Sequence, residues 1–158
     1  MPDEEKQAFA MRRMVFDKLE RLVNDRRLVF PPETHTELKR GNASVKDPKA
    51  DDPYHFVDRC RETATRSASL DIVKELGAHN LVRRVTDPDA EHDEADIYVL
   101  AVALAIQRAG SEVGVLTQER RDSANKLSVT TACGLLDLIC LPMEGFLHRE
   151  GIWVWPGR

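Results

Sequence analysis

A set of carboxylate side chains borders the apolar segments of this 158-residue chain, and these residues are the ones best suited to chemistry. They are Glu37, Glu91, Asp93, Glu94, Asp96, Glu119 and Asp122. Carboxylates that converge from separate segments are the ligands that proteins offer to Mg²⁺ or Mn²⁺. A cation held in this way can activate water and stabilise in-line displacement at a phosphodiester. The pattern therefore predicts a metal-dependent attack on phosphate.

The elements around these acids indicate how they would meet. Glu37 lies on a predicted helix that follows the first predicted strand, and Asp96 begins a strongly apolar helix. Glu119 and Asp122 follow a later strand that ends at Thr117. In parallel α/β sheets, ligands bind beyond the carboxyl ends of the strands, where helices begin. We therefore expect these acids to project from one edge of the sheet.

A purely structural interpretation of the same acids is also open. Asp and Glu are favoured at helix N-termini because they cap free amides and interact with the helix dipole. Asp93 with Asp96 fits such a first-turn cap, and Glu91 and Glu94 fit the same pattern. Glu37 taken alone is typical of a solvated helix face. The metal hypothesis therefore depends on the set rather than on any one acid.

The elements that must position the acids can be read from hydrophobic periodicity and from Gly and Pro. The predicted helices span residues 3–24, 33–40, 54–76 with a break near 65–69, 94–109 and 143–149. Gly77 and Gly110 are predicted to end two of them. The predicted strands span 28–30, 81–85, 113–116, 138–141 and 152–155. Apolar strands that alternate with helices predict one α/β domain over residues 1–158, with a mainly parallel sheet.

Composition narrows the class of protein. The chain is 42% hydrophobic and 32% charged, which is typical of a globular domain with an apolar core. No apolar run approaches the length of a membrane span, so we expect no membrane partner. The cysteines Cys60, Cys133 and Cys140 are scattered without metal-ligand spacing. They are predicted to be free thiols in a reducing, cytoplasmic compartment.

Three segments carry a resemblance to a known family. Residues 28–31 (LVFP) followed by 37–40 (ELKR) are similar to the segment that supplies the second acidic residue of that family. Asp96 followed by 97–103 (IYVLAVA) resembles the segment that supplies the third, and 115–119 (VLTQE) resembles its strand ending in Thr-x-Asp or Thr-x-Glu. Over roughly residues 15–153 the chain thus resembles a PIN domain, in particular a PIN-like bacterial family of unknown function.

The resemblance implies a three-layer α/β/α fold around a central, mainly parallel sheet. It also implies a Mg²⁺- or Mn²⁺-dependent ribonuclease, since many PIN domains are toxin ribonucleases of toxin–antitoxin pairs. Glu37, Asp96 and Glu119 would hold the metal and Thr117 would support the site. Asp93 and Asp122 are further candidate ligands. The side chains that could meet the RNA phosphate backbone are Arg120, Arg121 and Lys126.

The sequence departs from the family pattern at its start. The family opens with an apolar strand whose Asp is a central metal ligand, whereas here Asp3 and Asp17 lie in polar, helical surroundings. Loss of a central strand would expose backbone hydrogen-bonding groups, so we expect a protein partner or a second copy of the chain to cover the gap. An alternative function therefore stays open, that of a catalytically inactive PIN-like module acting through a protein partner.

Overall fold

The protein has an α/β architecture in the computed structural model, which describes residues 3–41, 52–88, 94–117, 122–123 and 125–151. The helices are α1 (Asp3–Asn24), α2 (Pro32–Gly41), α3 (Pro53–Ala64), α4 (Leu70–Ala78), a 3-10 helix (Val82–Val85), α5 (Asp96–Arg108), α6 (Val129–Leu135) and α7 (Met143–Arg149). The strands are β1 (Gly114–Thr117) and β2 (Ile139–Pro142). No helix within these ranges is long and apolar enough to cross a membrane.

The two strands lie side by side and run in the same direction. Gly114 pairs with Ile139 at one end and Thr117 with Pro142 at the other, and α6 forms the crossover between the strands. The predicted parallel pairing is therefore confirmed, and within the described residues the sheet has two strands. The three-layer arrangement stays a prediction. The predicted strand 152–155 lies outside the described residues.

The predicted strand 28–30 is reduced to a single parallel bridge. The Phe30 N–H donates to Ala64 O at 3.1 Å, and Phe30 O accepts from the Arg66 N–H at 3.0 Å. Pro31 follows immediately and has no N–H to extend a ladder, and α2 begins at the next residue. The bridge nevertheless ties the start of α2 to the end of α3.

The predicted strand 81–85 is wrong, because Val82–Val85 is a 3-10 helix. The ring nitrogen Nδ1 of His79 accepts hydrogen bonds from the amides of Leu81 and Val82 at 3.2 and 3.1 Å. These local bonds tighten the chain, and the three-residue spacing puts Val82 and Val85 on the same buried side. A short apolar run does not distinguish this arrangement from a buried strand.

The ends of α4 and α5 and the presence of α6 can also be compared with the sequence predictions. Gly110 follows α5 with a φ of 93°, a left-handed conformation that favours glycine, so its predicted capping role is confirmed. Gly77 lies inside α4, which ends at Ala78 with the extended residue His79 as its cap, so that prediction is wrong. The helix α6 was not predicted, since its Val-Thr-Thr start has weak helix propensity.

Buried side chains among the described residues form two apolar clusters. The larger one surrounds α5, whose Leu100 and Ala101 are fully buried against residues of α4, β1 and α6. The smaller one joins the second half of α1 to α3 and includes Leu22, Val23 and Phe56. Truncation of a buried leucine such as Leu100 to alanine typically costs about 2–5 kcal/mol. The helix α2 borders the smaller cluster, and its Glu37 reaches across to α5.

Candidate functional site

The first turn of α5 is completed by a side chain from another helix. The first amides of an α-helix lack partners within the helix, and Ala95, which precedes α5, has no side chain that can cap them. The Ala95 N–H instead donates to Glu37 Oε2 at 2.5 Å. Glu37 of α2 therefore lies at the same helix end as Asp96, the first residue of α5. A carboxylate at this position also interacts favourably with the positive end of the helix dipole.

A lysine joins two further carboxylates at this helix end. Lys126 Nζ lies 2.8 Å from Asp96 Oδ2 and 2.9 Å from Glu94 Oε2. All three side chains are mostly buried, with exposed fractions of 24% for Lys126, 23% for Asp96 and 20% for Glu94. The second oxygen of Glu94 accepts from the Asp87 N–H at 2.8 Å. We call Glu37, Glu94 and Asp96 the acidic cluster.

Polar atoms without partners lie on α2, one turn before Glu37. Glu33 Oε2 and Thr34 Oγ1 are buried and have no hydrogen-bond partner in the structure described. Residues three and four apart share a helix face, so both belong to the side of α2 that carries Glu37. A buried oxygen left unpaired costs about 1–3 kcal/mol, which a bound cation or water would offset. Sequence reasoning missed Glu33, although its four-residue spacing from Glu37 was visible.

Two other predicted site residues, Asp122 and Thr117, lie at the start of α6 and at the end of β1. Asp122 Oδ1 accepts from the Ser128 N–H at 2.9 Å and from Thr131 Oγ1 at 2.8 Å, so this carboxylate lies at the start of α6. These hydrogen bonds, helped by the charge of Arg84, hold the pKa of Asp122 below its usual value. Thr117 is half-buried at the end of β1.

The structure brings only part of the predicted acidic set together. Glu37 accepts from the Ala95 N–H next to Asp96 at the start of α5, and Glu94 shares Lys126 with Asp96. The predicted residues that lie outside the described ranges are Glu91, Asp93, Glu119, Arg120 and Arg121. Within those ranges, no group of three or more His, Cys, Asp or Glu is arranged to hold a metal ion.

Two histidine–carboxylate pairs lie on α2 and α3. His35 Nε2 lies 2.8 Å from Asp58 Oδ1, and His55 Nδ1 lies 2.7 Å from Asp52 Oδ2. Asp52 also caps α3 by accepting from the His55 N–H at 3.0 Å. Burial opposes ionisation of Asp52, but the hydrogen bonds from His55 outweigh it and hold the pKa of Asp52 below its usual value. The His35–Asp58 pair joins α2 to α3, and the His55–Asp52 pair fixes the start of α3.

Cys60, Cys133 and Cys140 are free thiols, as predicted. Burial and the neighbouring Cys140 raise the pKa of Cys133 to about 12. Burial, together with the charge of Glu20, also raises the pKa of Cys60. Since the thiolate is the reactive form, neither residue is suited to nucleophilic catalysis.

The fold and the acidic cluster define an α/β protein with carboxylates gathered at the start of a buried helix. The chain belongs to the family described as Domain of unknown function (DUF4411), which matches residues 3–154. No curated protein matches the chain, and no solved structure matches it.

Proposed function

We propose that this protein is a PIN-like ribonuclease that depends on Mg²⁺ or Mn²⁺ and cleaves RNA phosphodiesters. Glu37, Asp96 and Glu119 would hold the metal, and the Thr117 hydroxyl would support the site. The supporting observation is that Glu37 of α2 and Asp96 of α5, far apart in sequence, lie at one helix end. The three-layer α/β/α arrangement and a toxin–antitoxin role belong to the same proposal.

The donor set suits a hard cation. Mg²⁺ and Mn²⁺ prefer oxygen ligands, and the acidic cluster offers carboxylate oxygens from two helices. The unpaired oxygens of Glu33 and Thr34 lie on the same face of α2 as Glu37. Lys126 pairs with both Glu94 and Asp96, so a divalent cation would have to displace its ammonium from Asp96. When bound, the metal would supply an activated water and charge stabilisation at phosphorus.

Lys126 would have a second task when substrate binds. Its ammonium contacts Asp96, the residue proposed as a metal ligand. A divalent cation that competes for Asp96 releases the lysine to contact a phosphate oxygen. Lysine contacts phosphate as a point charge without reading the base sequence. Glu94, held by the Asp87 N–H, would orient Lys126 in both states.

A specific observation favours the alternative, a catalytically inactive PIN-like module that acts through a protein partner. Glu37 already accepts from the Ala95 N–H, Asp96 pairs with Lys126, and Asp122 accepts from the N–H of Ser128, the N-cap residue of α6. In this alternative the carboxylates fix helix ends and the lysine neutralises them permanently. The two functions therefore differ in whether a divalent cation can replace Lys126 at Asp96.

Cleavage of a mixed RNA pool by the purified protein, followed over a Mn²⁺ titration and reversed by EDTA, tests the ribonuclease proposal. We expect cleavage that is lost in Asp96→Asn. Asp71→Asn is a matched control, because Asp71 is an exposed acid in the first turn of α4. Equal cleavage by Asp96→Asn and the native protein would contradict the assignment. If the protein shows neither cleavage nor a metal-induced shift in melting temperature, the result would favour the catalytically inactive binding module.

A further inference from the structure

The first half of α1 is exposed, and every residue from 3 to 10 is open to solvent. Glu5, Ala8, Phe9 and Arg12 follow one another at steps of three, one and three, which puts them on one side of the helix. We call these four residues the α1 stripe. All four are exposed, and Phe9 retains 59% of its accessible surface. Ala8 and Phe9 make the centre of the stripe apolar, and Glu5 and Arg12 place opposite charges at its two ends.

The α1 stripe continues a face that is buried further along the same helix. One and two turns beyond Arg12, the face carries Phe16 and Leu19, which pack against α3 in the smaller apolar cluster. The second half of α1 thus has its packing partner within the chain. The first half presents the same side of the helix to solvent.

The α1 stripe is complementary to itself when two copies run antiparallel. With the symmetry axis between Ala8 and Phe9, Glu5 lies opposite the partner's Arg12, and Ala8 lies opposite the partner's Phe9. An isologous contact makes each of these pairs twice. A parallel pair would instead place glutamate against glutamate and arginine against arginine. The charge order therefore selects an antiparallel pair.

We propose that the α1 stripe is the contact between two copies of this chain, formed by an antiparallel pair of α1 helices. The proposal is independent of the ribonuclease. The eight helical residues from Glu5 to Arg12 span about 12 Å, so the contact is short. Contacts of this size are at the weak end of specific interfaces, and we expect a dissociation constant of about 10–100 μM.

Sedimentation equilibrium of the full chain over about 5–500 μM brackets this range and measures the dimer directly. Phe9→Ser is expected to weaken the dimer by about tenfold or more, because it removes the central apolar contact. Met14→Ser is the matched control. Met14 is similarly exposed, at 53%, but lies on the other side of α1 beside Asp17 and Arg21. Circular dichroism checks that both variants keep their helix content.

Charge exchange identifies the partner as a second copy. Glu5→Arg and Arg12→Glu are each expected to weaken self-association by about tenfold through like-charge repulsion. The double variant, and an equimolar mixture of the two single variants, should both recover it. A monomer at every concentration would overturn the proposal. The proposal would also be overturned by a dimer whose dissociation constant is unchanged by Phe9→Ser and by the charge exchanges. Binding of the α1 stripe to a different protein only would overturn it as well.

Discussion

Replacement of Lys126 by methionine tests the electrostatics of the acidic cluster directly. The substitution removes the ammonium and keeps most of the side-chain volume, so Glu94 and Asp96 face each other without a counter-ion. Their nearest oxygens are less than about 6 Å apart, because both contact the same nitrogen at 2.9 and 2.8 Å. At an effective dielectric constant of 20, two carboxylate charges at this separation repel by about 3 kcal/mol.

Relaxation of the side chains and screening by solvent reduce this repulsion. We therefore expect Lys126→Met to lower the free energy of unfolding by about 1–3 kcal/mol. Urea denaturation followed by circular dichroism measures the change. Lys74→Met is the control, because Lys74 is an exposed lysine on α4, where a substitution typically changes stability by about 0.5 kcal/mol or less.

The same variant separates the geometry of the cluster from its proposed metal chemistry. Lys126 competes with a divalent cation for Asp96, so Mn²⁺ should stabilise Lys126→Met more than it stabilises the native protein. RNA cleavage should nevertheless fall, because the proposed phosphate contact is gone. A variant as stable as Lys74→Met would refute the electrostatic reasoning. If the variant is destabilised but does not respond to Mn²⁺, the stabilising role of the Lys126 ion pairs is supported and the proposed cation site is refuted.

Three further predictions concern individual groups. Glu37→Gln keeps an oxygen that can accept from Ala95 but loses the charge, so Mn²⁺ binding measured by calorimetry should disappear while stability changes by no more than about 1 kcal/mol. The pKa of Asp52 is lower in the folded protein than its usual value, so ionised Asp52 stabilises the fold at neutral pH. This contribution should be lost as the pH falls through the pKa of the folded form. In an acid titration, Asp52→Asn should therefore lose less stability than the native protein. Cys133, with its pKa raised to about 12, should resist thiol-reactive probes at pH 8 until the protein is unfolded, and rapid labelling of this residue in the native state would contradict its burial.

The sequence predicts the elements whose pattern is long or clearly bounded. The helix α1 begins and ends where its periodicity begins and ends, and α5 stops before Gly110 as expected. Short apolar runs are less informative, since most of the predicted strand 81–85 is a 3-10 helix, Val82–Val85, formed with hydrogen bonds to His79 that no local pattern predicts. The unpredicted helix α6 begins at a cap in which Ser128 Oγ accepts from the Thr131 N–H, and Asp122 accepts from the N–H of the same serine.

The candidate site is predictable in part for a similar reason. The carboxylates Glu37 and Asp96 were visible as acids next to apolar segments, and parallel α/β topology indicated that such positions can meet. The contact of Lys126 with both Glu94 and Asp96 joins distant segments and has no local signature. The hydrogen bond from Ala95 to Glu37 is likewise visible only once α2 and α5 are packed.

That hydrogen bond links the local opening of two helices. The amide of Ala95 is protected from solvent exchange only while α2 holds Glu37 in place, because the first turn of α5 has no cap of its own. Transient undocking of α2 therefore exposes the entrance of α5 even when the rest of that helix stays buried. The deuterium uptake of this one amide therefore reports how often α2 separates from the start of α5.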